Sequence, residues 1–204
     1  MDEQHAIDRI GKLTASMFHL AVAETRTGWS ASREKYLSEL VIERFNRVPT
    51  ERYQSPEMRR GTELEPQARD AYSFMRDVDI QLCGFVPHPT IPLTGCSPDG
   101  LIGDDGLVEF KCPSSHTHMR TLRGAKPPGE YLMQCMWQLA CTGRDWCDLI
   151  SFDPRWPVRM QLHITRIGRS DIAIKKMEEQ AKQFLMEVAL EQEALRQQYL
   201  QEAA

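Results

Sequence analysis

The sequence GCSPDGLIGDDGLVEFKCP, Gly95–Pro113, reads as two strands joined by a tight turn. Asp104-Asp105-Gly106 is the turn: a three-residue hairpin loop closes with a residue in the left-handed region, and Gly106 suits that place. This register sets Gly103 opposite Leu107, Leu101 opposite Glu109 and Asp99 opposite Lys111. Side chains alternate along a strand, so Asp99, Glu109 and Lys111 share one face while Phe110 points into the core. A two-residue loop would turn Asp99 to the other side.

Two carboxylates and an ammonium gathered on one patch of strand are costly to bury. The acids repel each other, and a divalent cation would relieve that. Carboxylate oxygens without His or Cys beside them suit a hard ion such as Mg2+ or Mn2+. A protonated lysine cannot ligate, but it can orient water or stabilise charge on a phosphate. These are the parts of metal-assisted phosphodiester hydrolysis. An acid-x-Lys triplet alone also describes an exposed Glu/Lys hairpin face. Leu107, Val108 and Phe110, with Ser97-Pro98-Asp99-Gly100 upstream, favour a half-buried strand and a site.

Upstream of the hairpin, residues 78–85 alternate as a strand, and Val86–Pro92, with three prolines, reads as a loop or edge. Residues 55–76, SPEMRRGTELEPQARDAYSFMR, form a helix with Ser55 as N-cap and Pro56 at its first position. Pro66 removes one backbone hydrogen bond and should kink the helix near Thr62, beside Glu65. Residues 31–45 form an amphipathic helix with Tyr36, Leu37, Leu40, Val41 and Phe45 inward. In residues 9–28, Thr14 or Ser16 caps a helix carrying Phe18, Ala21 and Val22. A serine near a helix start with Arg9 close by could also hold an anion.

Downstream, residues 114–129 carry His116, His118, Arg120, Arg123 and Lys126 without an acid, a solvated loop or a basic patch for a polyanion. Residues 130–142 form an apolar helix on which Tyr131 and Gln134 share a face. Residues 146–152 and 159–167 read as strands joined at Asp153-Pro154, and about 170–200 as a long amphipathic helix.

The 204 residues fit one sizeable domain burying about 70% of its unfolded surface. Net charge is −4, so any nucleic-acid contact must be local. The start, MDEQHAIDRIG, shows no secretory pattern, and no apolar run reaches the length of a membrane span. Six cysteines without a C-x-x-C pair predict buried free thiols in a reducing cytosol and no iron–sulfur cluster.

Five blocks in order, LTAS at 13–16, RGTELEPQAR at 60–69, CSPDGL at 96–101, EFKCP at 109–113 and YLMQ at 131–134, resemble the family of phage lambda exonuclease and the YqaJ-like viral recombinases, within the PD-(D/E)XK nuclease superfamily. The likeness covers roughly residues 9–165. It implies an α/β (α+β) fold: a restriction-endonuclease-like core with a central mixed β-sheet flanked by helices. It also implies a single nuclease domain over 1–204. The implied activity is a processive, Mg2+-dependent 5′→3′ digestion of duplex DNA, with Mn2+ able to substitute and two ions per site, releasing mononucleotides and leaving 3′ overhangs.

By the same resemblance Asp99, Glu109, the Phe110 main-chain carbonyl and Glu65 hold metal, and Lys111 activates or positions the attacking water. Tyr131 and Gln134 support the site. Arg9, Ser16 and Ser97 match a 5′-phosphate pocket, Arg26 a DNA-contacting arginine, and Met58 an apolar wedge. The N-terminal arm is short, and His5 stands where an aromatic residue is expected. Implied partners are duplex DNA with 5′-phosphorylated ends, two further copies in a homotrimeric ring, and a single-strand annealing recombinase, in a bacterial host cytosol with a phage or prophage origin. A structure- or site-specific endonuclease, or a non-catalytic DNA-end-binding module, is the alternative.

Overall fold

A strand that must bury side chains on both faces needs a layer on each side, and Gly106–Lys111, GLVEFK, is such a strand. The computed structural model describes residues 6–51 and 53–200; His5 lies outside them. The strands are β1 (Leu13–Thr14), β2 (Glu24–Thr25), β3 (Gly28–Trp29), β4 (Val86–Pro87), β5 (Thr94–Cys96), β6 (Gly100–Ile102), β7 (Gly106–Lys111), β8 (Trp146–Phe152) and β9 (Leu162–Gly168). The helices are α1 (Phe18–Ala21), α2 (Ala31–Asn46), α3 (Pro56–Arg76), α4 (Ser115–Leu122), α5 (Gly129–Thr142) and α6 (Asp171–Tyr199).

The central sheet runs β6-β7-β8-β9, with β7 and β8 parallel and the outer pairs antiparallel. On one face Ala68 and Tyr72 of α3 pack on Val108, Phe110, Ile150 and Phe152. On the other, Cys135 and Leu139 of α5 pack on Leu107, Cys147 and Leu149. This is the expected mixed sheet flanked by helices. A smaller sheet, β1-β5-β4, joins α1, α2, α5 and α6 around Phe18, Tyr36, Trp137 and Phe184. The long helix α6 thus lies on its own chain's core, with Phe184 stacked on Tyr36 at 5.6 Å. All six cysteines are free, and four of them are buried.

The central hairpin differs from its expected register. Leu101 lies opposite Leu107, not Glu109, and Ile102 opposite Gly106. The loop is therefore Gly103-Asp104-Asp105, and the left-handed residue is Gly103, φ 52°, rather than Gly106. Two long-range contacts set this. The Arg144 guanidinium gathers the carbonyls of Ile102, Gly103 and Gly106 at 3.1, 2.8 and 2.7 Å. The Trp146 indole lies against Gly106 so closely that a Cβ there would come within 2.1 Å of the ring. A slip of two residues preserves the alternation, so the predicted face survives the wrong partner.

Other expectations shift for tertiary reasons. Residues 78–85 are not a strand: Gln81 exchanges two hydrogen bonds with Leu101, and pairing resumes at β4. Pro87 is tolerated there because β4 is an edge. The predicted helix in 9–28 shrinks to a 3-10 turn and the four residues of α1, because Leu13 and Thr14 pair with Thr94 and Gly95; the Thr14 side chain caps nothing. Residues 114–122 are no loop but α4, capped by Ser114. Its His118 is fully buried between the Ser151 hydroxyl and the Met160 carbonyl, both at 2.8 Å, a core histidine rather than a ligand. β9 starts at Leu162, since Val158–Met160 is a 3-10 turn. Helix α3 runs from its Ser55 cap through Pro66 to Arg76.

Candidate active site

β7 delivers Glu109 and Lys111 to the α5 side of the sheet, and Asp99 approaches from the start of β6. Asp99 lies one residue before the first ladder pair, and its Oδ2 accepts the Phe110 N–H at 2.6 Å. Glu109 is buried, and three side-chain donors satisfy it. Its Oε1 accepts from Lys111 Nζ at 2.7 Å and Gln134 Nε2 at 2.6 Å, and its Oε2 from Gln138 Nε2 at 2.6 Å. Lys111 also donates to Gln134 Oε1 at 3.0 Å, with its ammonium 4.8 Å from the centre of the Tyr131 ring. Tyr131, Gln134 and Gln138 are spaced along one face of α5, so the helix supplies both glutamine donors and the ring beside Lys111 at once.

Helix α3 brings Glu65 to the same space. Its carboxylate accepts from Arg69 Nη2 at 2.7 Å, one turn on. Two anchors fix α3 on the sheet. The Tyr72 hydroxyl donates to Asp148 at 2.7 Å, which Arg166 also grips through two nitrogens. Arg60 reaches Asp153 and the Pro113 carbonyl.

The concentration of acids shows in the electrostatics. Burial first, then the charges of Glu109 and Glu65, push the Asp99 carboxyl well above the ordinary carboxylate range, against the pull of the Phe110 amide and Lys111. Burial works against the Lys111 charge too, but Glu109 and Asp99 outweigh it and push its pKa up, so the ammonium stays protonated. The neighbouring Cys112 thiol is pushed up to about 12 by burial and by Glu65.

These groups line one cleft of about 760 Å3. Glu65, Asp99, Glu109, Phe110, Lys111, Tyr131 and Gln134 are all on its wall, and so are Arg9, Ser16, Ser97 and Met58. Arg9 Nη2 donates to Ser16 Oγ at 3.1 Å. The Ser97 hydroxyl is buried without a hydrogen-bond partner among the described residues. Arg26 is not part of this wall: it sits exposed in the turn of the β2–β3 hairpin.

The family model of the YqaJ-like viral recombinase domain matches residues 5–145. The chain belongs to that family. An alkaline exonuclease, LHK-Exo, from Laribacter hongkongensis, solved also in complex with dAMP, is 41% identical to this YqaJ-like chain, with a TM-score of 0.90 over 97% of each. A phage-related exonuclease from Haemophilus somnus 129PT shares the fold at a TM-score of 0.68 and 15% identity, over 88% of this chain and 96% of its own. No curated protein matches. Among the described residues of the YqaJ-like chain no helix is long and apolar enough to cross a membrane.

The YqaJ-like site has the chemistry a hard divalent ion needs. Asp99, Glu109 and the Phe110 carbonyl offer oxygen alone, and the Asp99 carboxyl, raised by burial and then by its neighbours' charge, is one a cation would relieve. Glu65 stands back, paired with Arg69, and no three Asp, Glu, His or Cys side chains among the described residues close around one point. Sequence reading missed Gln138 and Arg69. Both left a trace: a second glutamine four residues after Gln134 on an otherwise apolar helix, and an arginine four after Glu65.

Proposed function

We propose that this YqaJ-like protein is a magnesium-dependent double-strand DNA exonuclease that digests one strand in the 5′→3′ direction. It releases mononucleotides processively and leaves 3′ overhangs for phage-type strand-annealing recombination. The observation that carries this reading is the joining, in one cleft, of an acid–acid–ammonium triad with a separate Arg9–Ser16 pair. The alkaline exonuclease at 41% identity supports the same class.

Asp99, Glu109, the Phe110 carbonyl and Glu65 would hold Mg2+ or Mn2+, two ions per site, and metal bound there would supply a water of lowered pKa and positive charge to offset the leaving oxygen. Lys111, protonated and braced by Gln134 and the Tyr131 ring, stabilises negative charge on the scissile phosphate. Arg9, Ser16 and Ser97 receive the terminal 5′-phosphate. Met58, 59% exposed at the cleft, is the apolar wedge at the strand end. Arg26 contacts the duplex from its hairpin tip. The functional particle is a homotrimeric ring in the host cytosol, which hands its overhang to an annealing recombinase.

A time course on end-labelled linear duplex with a 5′-phosphate or 5′-hydroxyl, with and without Mg2+, tests the reading. Labelled mononucleotide should appear from 5′-phosphorylated ends in Mg2+ alone, and label should leave 5′-hydroxyl ends more slowly. Digestion from the 3′ end, or cutting of a covalently closed plasmid, would overturn it.

A further inference from the structure

A second recess, of about 370 Å3, opens behind the Arg9–Ser16 pair. Arg9, Ser16, Gln54 and Met58 line both it and the cleft, so these four residues form the partition between the two spaces. Its walls combine apolar surface from Ile10, Met17, Leu40 and Pro49 with hydroxyl groups from Thr14 and Thr50, and Tyr53 stands at its exposed rim. The Thr50 hydroxyl is buried without a hydrogen-bond partner among the described residues. The volume lies at the lower end of the range of about 300–1,000 Å3 for sites that hold small organic ligands. Among the described residues the cations on these walls are Arg9 at the partition and Lys12, whose ammonium donates to the Asp8 carbonyl and lies 4.8 Å from the centre of the Phe85 ring. The Glu43 carboxylate closes the recess, its two oxygens taking the backbone N–H groups of Gly11 and Thr50 at 2.7 and 2.9 Å. A polyphosphate would meet that carboxylate. A nucleoside, with an apolar ring and a few hydrogen-bonding edges, suits the lining.

We infer that the recess receives one additional nucleoside lying 5′ of the phosphate held by Arg9 and Ser16, so that duplexes ending in a 5′-hydroxyl are engaged one nucleotide further in. This rests on the exonuclease reading above. With a 5′-phosphate end, the terminal phosphate occupies Arg9 and the first internucleotide bond is cut. With a 5′-hydroxyl end, the first internucleotide phosphate takes that place, the terminal nucleoside enters the recess, and the second internucleotide bond is cut. Water adds to that phosphorus, the 3′-oxygen of the second nucleoside leaves and takes up a proton, and the product is a dinucleoside monophosphate with free 5′- and 3′-hydroxyls. The remaining strand now begins with a 5′-phosphate and is digested one nucleotide at a time.

The test is mass-spectrometric analysis of the earliest products from matched 5′-phosphate and 5′-hydroxyl duplexes, with the full-length protein in Mg2+. The 5′-hydroxyl duplex should yield the dinucleoside monophosphate first, and the 5′-phosphate duplex should yield mononucleotide. Thr50→Trp, which fills the recess, should slow dinucleoside release at least about tenfold and leave 5′-phosphate digestion unchanged, while Thr50→Ala keeps both. The 5′-phosphate arm also reports whether the tryptophan variant folds; if it does not, the dinucleoside in the wild-type and Thr50→Ala products decides. A free nucleoside as first product, or 5′-hydroxyl ends left intact while 5′-phosphate ends are consumed, overturns the inference and spares the exonuclease reading. Digestion of neither duplex overturns both.

Discussion

Lys111 is held at once by Glu109, Gln134 and the Tyr131 ring, so its role rests on a fixed charge rather than on a mobile base. Lys111→Ala should keep binding of DNA ends and lower turnover by about 10²–10³, the usual loss for one group aimed at developing charge. Single-turnover hydrolysis beside an end-binding titration measures the two separately, and normal turnover would remove the lysine from the chemistry. Asp99 gives a prediction of opposite sign for stability and activity. Its folded pKa is raised, so its contribution is complete below about pH 3.9 and is lost as pH rises through the raised value. Metal-free Asp99→Asn should therefore melt higher than wild type at neutral and alkaline pH while losing hydrolysis. Mg2+ should raise the melting temperature of the wild type far more than that of the variant. At this scale the sequence was most legible: alternation alone put Asp99, Glu109 and Lys111 together, because parity survives a two-residue slip. Gln138 and Arg144 were not, because what they bind lies 29 or more positions away.

Between elements, Asp153 at the end of β8 is the joint to watch. It is fully buried and accepts from Arg60 of α3, Ser115 of α4 and Arg155. Burial alone would raise its carboxyl, but Arg155 and Ser115 outweigh that and hold it down at about 2. A depressed folded pKa means stability that is present above the unfolded value near 3.9 and lost as pH falls through about 2. Asp153→Asn should cost about 2–3 kcal/mol at neutral pH, the loss of hydrogen bonds to a charge, and should flatten the acid limb between about pH 4 and 2. Urea melts across that window decide it; an unchanged acid limb would count against the joint. Helices α2, α3, α5 and α6 and strand β8 could be read from periodicity and caps because each carries its own apolar face. Residues 78–85 and 114–122 could not. Gln81 bridges to the edge strand β6, and α4 is held by His118, whose partners lie 33 and 42 residues on.

Taken whole, the molecule is acidic, yet His116, Arg120, Arg123 and Lys126 stand exposed on α4 and the turn after it, directly downstream of the cleft residue Pro113. A net charge of −4 cannot draw in a polyanion, so this segment should carry a disproportionate share of the attraction. Replacing Arg120, Arg123 and Lys126 with glutamine should make the plot of log affinity against log salt shallower by about 2–3. Titrations at several salt concentrations read this directly, and an unaltered slope would place the phosphate contacts elsewhere. The sequence supplied the composition of this segment. Its helical start, which carries His116 and Arg120 ahead of Arg123 and Lys126 in the following turn, depends on the Ser114 cap and on His118 entering the core.

The shape of the β6–β7 ribbon has an outcome for how such proteins tolerate insertions and deletions. The tip at Gly103–Asp105 lies outside the ladder, so residues added at Asp104, between the held carbonyls of Gly103 and Asp105, can bulge outward without disturbing the pairs behind them. A single residue added within Gly100–Ile102 has no such refuge. It would rotate Asp99 onto the Phe110 side of the sheet, and the enzyme would be silenced by a change that removes no atom of its machinery.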